Sequence, residues 1–93
     1  MIERQAGRLV VKVPLVMANA RGLLEAGRSA LQGGDEIFDF SEVVDADSSA
    51  LAVMLGWLRA AELSRSTVHF SNIPEGVRSL AGLYGVAELL PLV

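Results

Sequence analysis

FDFSEVVDADSSALAVMLGWLRAA, running from Phe38 to Ala61, is the stretch that decides the fold. It begins as an apolar strand, passes through an acidic loop with two serines, and continues as a helix with almost no charge. A strand that turns through a short polar loop into an apolar-striped helix is half of a strand–helix–strand crossover. Asp47, Ser48 and Ser49 suit the start of that helix, because their short side chains accept hydrogen bonds from first-turn N–H groups that lack a partner.

The helix is predicted over about Ser48 to Leu63. Leu51, Met54, Leu55 and Leu58 fall on one stripe, the spacing of a face packed on a sheet. At 100° per residue, Val53, Trp57 and Ala60 form an adjoining stripe, interrupted only by Arg59 and Glu62. One sheet does not cover both stripes. A lone aromatic on a helix is more often core than interface, but a tryptophan at the margin of the sheet-facing stripe is placed to anchor a partner. The expected partner interface is therefore Ser48, Ala50, Val53 and Trp57. On that expectation Trp57→Ala leaves the isolated domain folded and abolishes binding.

Working outward, Arg8 to Val16 reads as strand, with Pro14 removing a ladder donor and so favouring an edge, a bulge or a break into two short strands. Ala18 to Leu31 has the spacing of an amphipathic helix, its apolar side carrying Leu23 and Leu24 and its wetter side Arg21, Glu25 and Arg28, before Gly33 and Gly34 end it. Asp35 to Phe40 is a central strand that feeds the loop from Ser41 to Asp47. Ser66 to Ser71 is a short strand, and Pro74 opens a helix through Val77, Leu80, Ala81 and Tyr84 that Gly85 terminates. Val86 to Leu90 is one last helical turn, stopped by Pro91. The order implies a small α/β domain: a mixed four-stranded sheet with parallel crossovers and helices packed mainly on one face. Residues 1–93 form one domain, since a chain of this length builds a single core.

Hydrophobic residues make up 52% of the chain and charged ones 20%, which supports a packed core and excludes a disordered tail. That apolar fraction is high for so small a body and points to a surface that a partner covers, or through which the isolated chain self-associates. With a net charge of −3 and scattered basic residues, nothing resembles a phosphate-neutralising face, so nucleic acid is excluded as a ligand class. There is no cysteine and a single histidine, which removes disulfides, thiolate metal sites and an ordinary zinc site. MIERQAGRLVVKV lacks the apolar run of a signal peptide, and no segment reaches the roughly 18 uncharged residues of a membrane span. A cytoplasmic protein is the expectation.

Catalytic arrangements are missing. Gly33 and Gly34 follow a helix, without the lysine of a phosphate-binding loop. Ser48, His69 and Asp47 make up the residue types of a hydrolytic triad, yet there is no nucleophile elbow and His69 lies inside a strand pattern. Asp35, Glu36, Asp39, Glu42, Asp45 and Asp47 lack the ligand order of a calcium loop and read as a solvated acidic rim. Neither a metal nor a cofactor is expected, and the chain is read as a non-enzyme.

An apolar strand followed by an acid, a serine or threonine and small residues at a helix start resembles the central signature of the STAS domains, the family of sulfate transporters and anti-sigma-factor antagonists. Here it stands as Asp47, Ser48, Ser49 and Ala50, with Ala50 where glycine is common. VRSLAGLYGVAELLPL, from Val77 to Leu92, resembles the ending of the MlaB-type subfamily, the STAS subunits of Mla phospholipid ABC transporters that maintain the Gram-negative envelope. The resemblance implies a non-catalytic subunit bound to a cytoplasmic, MlaF-like ATPase and associated with the membrane only through the transporter. It also implies that Ser48 is the functional hydroxyl, contributing a hydrogen bond or accepting a phosphate, with Asp47 and Ser49 beside it in the loop. The alternative it carries is an anti-sigma-factor antagonist regulated by phosphorylation of that serine.

Overall fold

The computed structural model describes residues 1–93. Strand β1 (Ile2–Gln5) turns back through Ala6 and Gly7 into β2 (Arg8–Val11). Both turn residues have positive φ, 51° and 78°, the geometry that matches the right-handed twist of paired strands. The sequence expectation of a strand from Arg8 to Val16 is thus corrected: β2 stops at Val11, and its hairpin partner precedes it rather than following Pro14. Leu15 still makes one parallel bridge, to Ala46 in the acidic loop. A 3-10 turn at Met17–Asn19 leads into α1 (Ala20–Ala30), followed by β3 (Asp35–Asp39), α2 (Ser49–Ser64), β4 (Thr67–Ser71), α3 (Glu75–Leu83) and a last 3-10 turn at Ala87–Leu89.

The sheet order is β1-β2-β3-β4, antiparallel across β1/β2 and parallel across the other two pairs. This is the mixed four-stranded sheet with parallel crossovers expected from the element order. Side chains alternate between its faces. Leu9, Val11, Phe38, Phe40, Val68 and Phe70 join the hydrophobic core, whereas Arg8, Ile37, Asp39 and His69 alternate with them on the other face. The helices therefore cover one face. Beyond β4 the chain returns: Phe70 N–H donates to the Pro91 carbonyl at 2.8 Å and Val93 N–H to the Phe70 carbonyl at 2.9 Å. That tail pairs the edge of β4 and leaves β1 as the open edge, where Glu3 and Arg4 discourage further strand pairing.

Two glycines let α1 lie unusually close to α2. A Cβ on Gly27 would stand 2.1 Å from the Trp57 indole nitrogen, and one on Gly56 would stand 2.4 Å from Leu24 Cδ2. Each helix thus offers a notch that receives a side chain of the other. A glycine inside a helix costs about 1 kcal/mol relative to alanine, and this close approach is what offsets it.

Candidate functional site

The loop between β3 and α2 is fixed by backbone pairing before any side chain acts. Leu15 N–H donates to the Asp45 carbonyl at 2.9 Å, and Asp47 N–H donates to the Leu15 carbonyl at 3.0 Å. These bonds hold the loop against the segment that precedes α1. Asp47 then completes the junction: one carboxylate oxygen accepts from Ser49 N–H at 2.9 Å and from the Ser49 hydroxyl, while the other accepts from Met17 N–H at 3.0 Å. Of the three residues suited to capping, Asp47 caps α2. Ser48 already has helical dihedrals (φ −63°, ψ −18°) and makes no capping bond.

The two serines therefore differ. Ser49 is half-buried and its hydroxyl is committed to Asp47, whereas Ser48 is exposed and stands outside this network. Asp45 is exposed beside it. Met17, 72% exposed, and Val44, 97% exposed, put large apolar side chains in solvent on the segments that flank the α2 start. An exposed hydroxyl, a helix N-terminus and two exposed apolar side chains thus stand on the segments that meet at the start of α2. His69 belongs to β4, as its strand pattern implied.

The Ser49 hydroxyl, followed by the Met17 and Ser49 N–H groups, holds the Asp47 carboxyl below the usual carboxylate range. Asp39 also lies low. Burial pushes it up, but the Asn72 amide, the Ser41 N–H and hydroxyl, and the charge of Arg8 together outweigh burial. A carboxyl whose folded pKa is depressed contributes stability above its unfolded pKa and loses it as pH falls through the folded value. The thermal midpoint of the domain is accordingly expected to fall below about pH 4, and Asp47→Asn should flatten that fall, as scanning calorimetry between pH 7 and 2.5 would show. An unchanged pH profile in the variant would mean that Asp47 is not linked to folding.

Three of the four expected interface residues are in the core. Ala50, Val53 and Trp57 are 0%, 1% and 0% exposed, so the expectation that they line an accessible side of α2 is corrected. The sheet and α1 cover that stripe between them. The Trp57 indole N–H donates to the Leu23 carbonyl at 3.0 Å, and its ring stacks on Phe38 with centroids 4.0 Å and planes 6° apart. Of the stripe assigned to the sheet, Leu51 and Met54 are buried, while Leu55 and Leu58 are only half-buried. Gly27 and Gly56, helical glycines with no evident turn role, were the signal for this close packing.

The acidic residues are not a uniform solvated rim either. Glu36 is buried on the core face and held bidentately by Arg4 at 2.9 and 3.1 Å. Glu42 pairs with Lys12 at 3.0 Å, and Asp39 accepts from Asn72 and Ser41. These carboxylates are spent on separate partners, and no three His, Asp or Glu side chains gather in a metal-binding group. No helix is long and apolar enough to cross a membrane.

Comparison with known proteins agrees with this architecture. The family described as "Mlab, STAS domain" matches residues 2–91. A crystal structure of a candidate anti-sigma factor antagonist from Thermotoga maritima superposes with a TM-score of 0.74 at 14% identity, covering 99% of this chain and 83% of that one. At that identity the likeness shows the fold alone. No curated protein matches the sequence. With its family match spanning nearly the whole chain, and with a serine at the start of the helix after the central strand, the protein belongs to the MlaB-type STAS domain family.

Proposed function

We propose that the domain is the non-catalytic STAS subunit of a Mla-type phospholipid ABC transporter, binding the ATPase subunit through the Ser48 end of α2 and supporting its assembly or activity. In that role it is cytoplasmic and peripheral to the inner membrane, it serves the lipid asymmetry of the outer membrane, and it needs no cofactor. The observation that carries the reading is the freed hydroxyl. Ser48 sits where the family has its functional serine or threonine, exposed and uncommitted, while Asp47 and Ser49 satisfy each other. Met17 and Val44 supply apolar area beside it.

The same exposure favours a second reading, in which Ser48 is phosphorylated by a partner kinase, as in an anti-sigma-factor antagonist. A phosphate at a helix N-terminus is favoured by the dipole, but beside Asp45 and Asp47 and against an apolar partner it meets repulsion and desolvation. Phosphorylation would then release the partner.

Co-purification with the cognate ATPase tests the transport reading. Ser48→Ala should weaken binding about fivefold, the loss of one hydrogen bond. Ser48→Glu should weaken it by about a hundredfold, the effect of an unpaired charge held in an interface. Wild-type binding by Ser48→Glu would refute the assigned end of α2. Stoichiometric labelling of Ser48 by an anti-sigma kinase would favour the second reading instead.

A further inference from the structure

A second surface lies further along α2, on the side facing away from the sheet. Leu24 and Arg28 of α1 and Leu55, Gly56, Arg59 and Leu63 of α2 line a shallow groove between the two helices. Leu63 is 85% exposed although it is a large apolar side chain. No acidic residue lines the groove, in a chain whose net charge is −3. Arg59 takes part in none of the ion pairs of the domain, and Arg28 pairs only with its helical neighbour Glu25, both side chains being more than half exposed. An exposed pair of that kind is worth well under 1 kcal/mol, which leaves Arg28 free to exchange partners.

We infer that this groove docks an acidic amphipathic helix of a partner protein. The lining of α2 recurs every three or four residues, the spacing of ridges that receive another helix. From Ala52 to Leu63 it runs about 16 Å, or three helical turns. Leucine-like side chains on the incoming helix would fill the apolar floor, and glutamates on its flanks would meet Arg28 and Arg59. A second copy of this chain fits poorly. A two-fold interface brings the same patch of each protomer together and would set Arg28 and Arg59 against their own equivalents. A concave surface also suits a helix better than a flat bilayer. The inference stands apart from the Ser48 reading, since Arg59 lies about 16 Å from Ser48 along the helix.

The test uses a fluorescein-labelled synthetic helix of about 14 residues, with leucines at the i, i+3, i+7 and i+10 positions and flanking glutamates, and its lysine-for-glutamate counterpart. Fluorescence anisotropy against the full domain should show the glutamate peptide binding about tenfold more tightly, the sum of two exposed charge pairs gained in one peptide and opposed in the other. An Arg28→Glu/Arg59→Glu double variant should invert that preference with its circular dichroism unchanged, since both side chains are exposed. Equal binding of the two peptides, or a preference that survives the double variant, would overturn the proposal. So would self-association in sedimentation that Leu63→Ser abolishes, or arginine-dependent binding of anionic vesicles in place of the peptide.

Discussion

Trp57→Ala should unfold the domain or bring it to the edge of unfolding, with a loss of about 3–5 kcal/mol. The indole is fully buried, stacks on Phe38, lies 6.2 Å from Phe40 between ring centroids, and donates to the Leu23 carbonyl. It therefore ties β3, α2 and α1 together. A domain of this length has roughly 5–14 kcal/mol of total stability, so the substitution removes a large part of it. In thermal melts followed by circular dichroism, the midpoint should fall by about 15–30 °C. Trp57→Phe keeps an aromatic ring against Phe38 and loses the hydrogen bond and part of the packing, so its fall should be much smaller. A Trp57→Ala variant with a wild-type midpoint would return the side chain to the surface position that the helical stripe suggested.

Gly27→Ala should be the second most damaging single change. Alanine is the better helix former by about 1 kcal/mol, yet its methyl group would occupy the place of the indole, 2.1 Å from the nitrogen and 2.5 Å from the adjoining ring carbon. A rigid ring stacked on Phe38 has nowhere to retreat, so the helices must separate, at a net cost of about 2–3 kcal/mol, as in overpacked cores. Gly56→Ala makes the useful contrast. There the obstruction is the tip of one flexible leucine, Leu24, and a rotamer change cancels most of the gain in helix propensity. Denaturant titrations should place Gly56→Ala within about 1 kcal/mol of the wild type. Equal losses of stability in the two variants would contradict a rigid obstruction at Gly27 and a yielding one at Gly56.

The sequence carried the layer architecture because its elements are short, strongly patterned and punctuated. Phe38, Phe40, Val68 and Phe70 alternate, and Pro74, Gly85 and Pro91 mark the ends of helical turns where the structure has them. The hairpin at Ala6–Gly7 was not legible, since β1 is an edge strand whose residues Glu3, Arg4 and Gln5 give no apolar alternation. Only Gly7 marked the turn. Ser48, Asp47 and Ser49 were legible as a helix start, but the division of labour among them depends on Met17, a contact between residues 30 positions apart. The destination of the second apolar stripe of α2 could not be read from α2 itself. It depends on Gly27, a residue on another helix, whose missing side chain makes room for Trp57. The apolar surface that α2 leaves over is therefore smaller than the helical wheel suggests, and it lies elsewhere on the helix, on the half-buried Leu55 and Leu58 and the exposed Leu63.

Because Trp57 is the only tryptophan, its fluorescence reports on the folding of every variant, and loss of binding can be separated from loss of structure. An interaction subunit that docks through the Ser48 end of α2, as proposed above, buries that junction when its partner binds. Hydrogen–deuterium exchange of the domain, free and mixed with the ATPase subunit of a Mla-type transporter, would locate the buried segment and test that docking. Slowed exchange at Met17 and over residues 44–50, with the Arg8, Ile37 and His69 face of the sheet unchanged, is the predicted result. Protection confined to that sheet face or to β1, with the Ser48 junction exchanging as in the free domain, would contradict it.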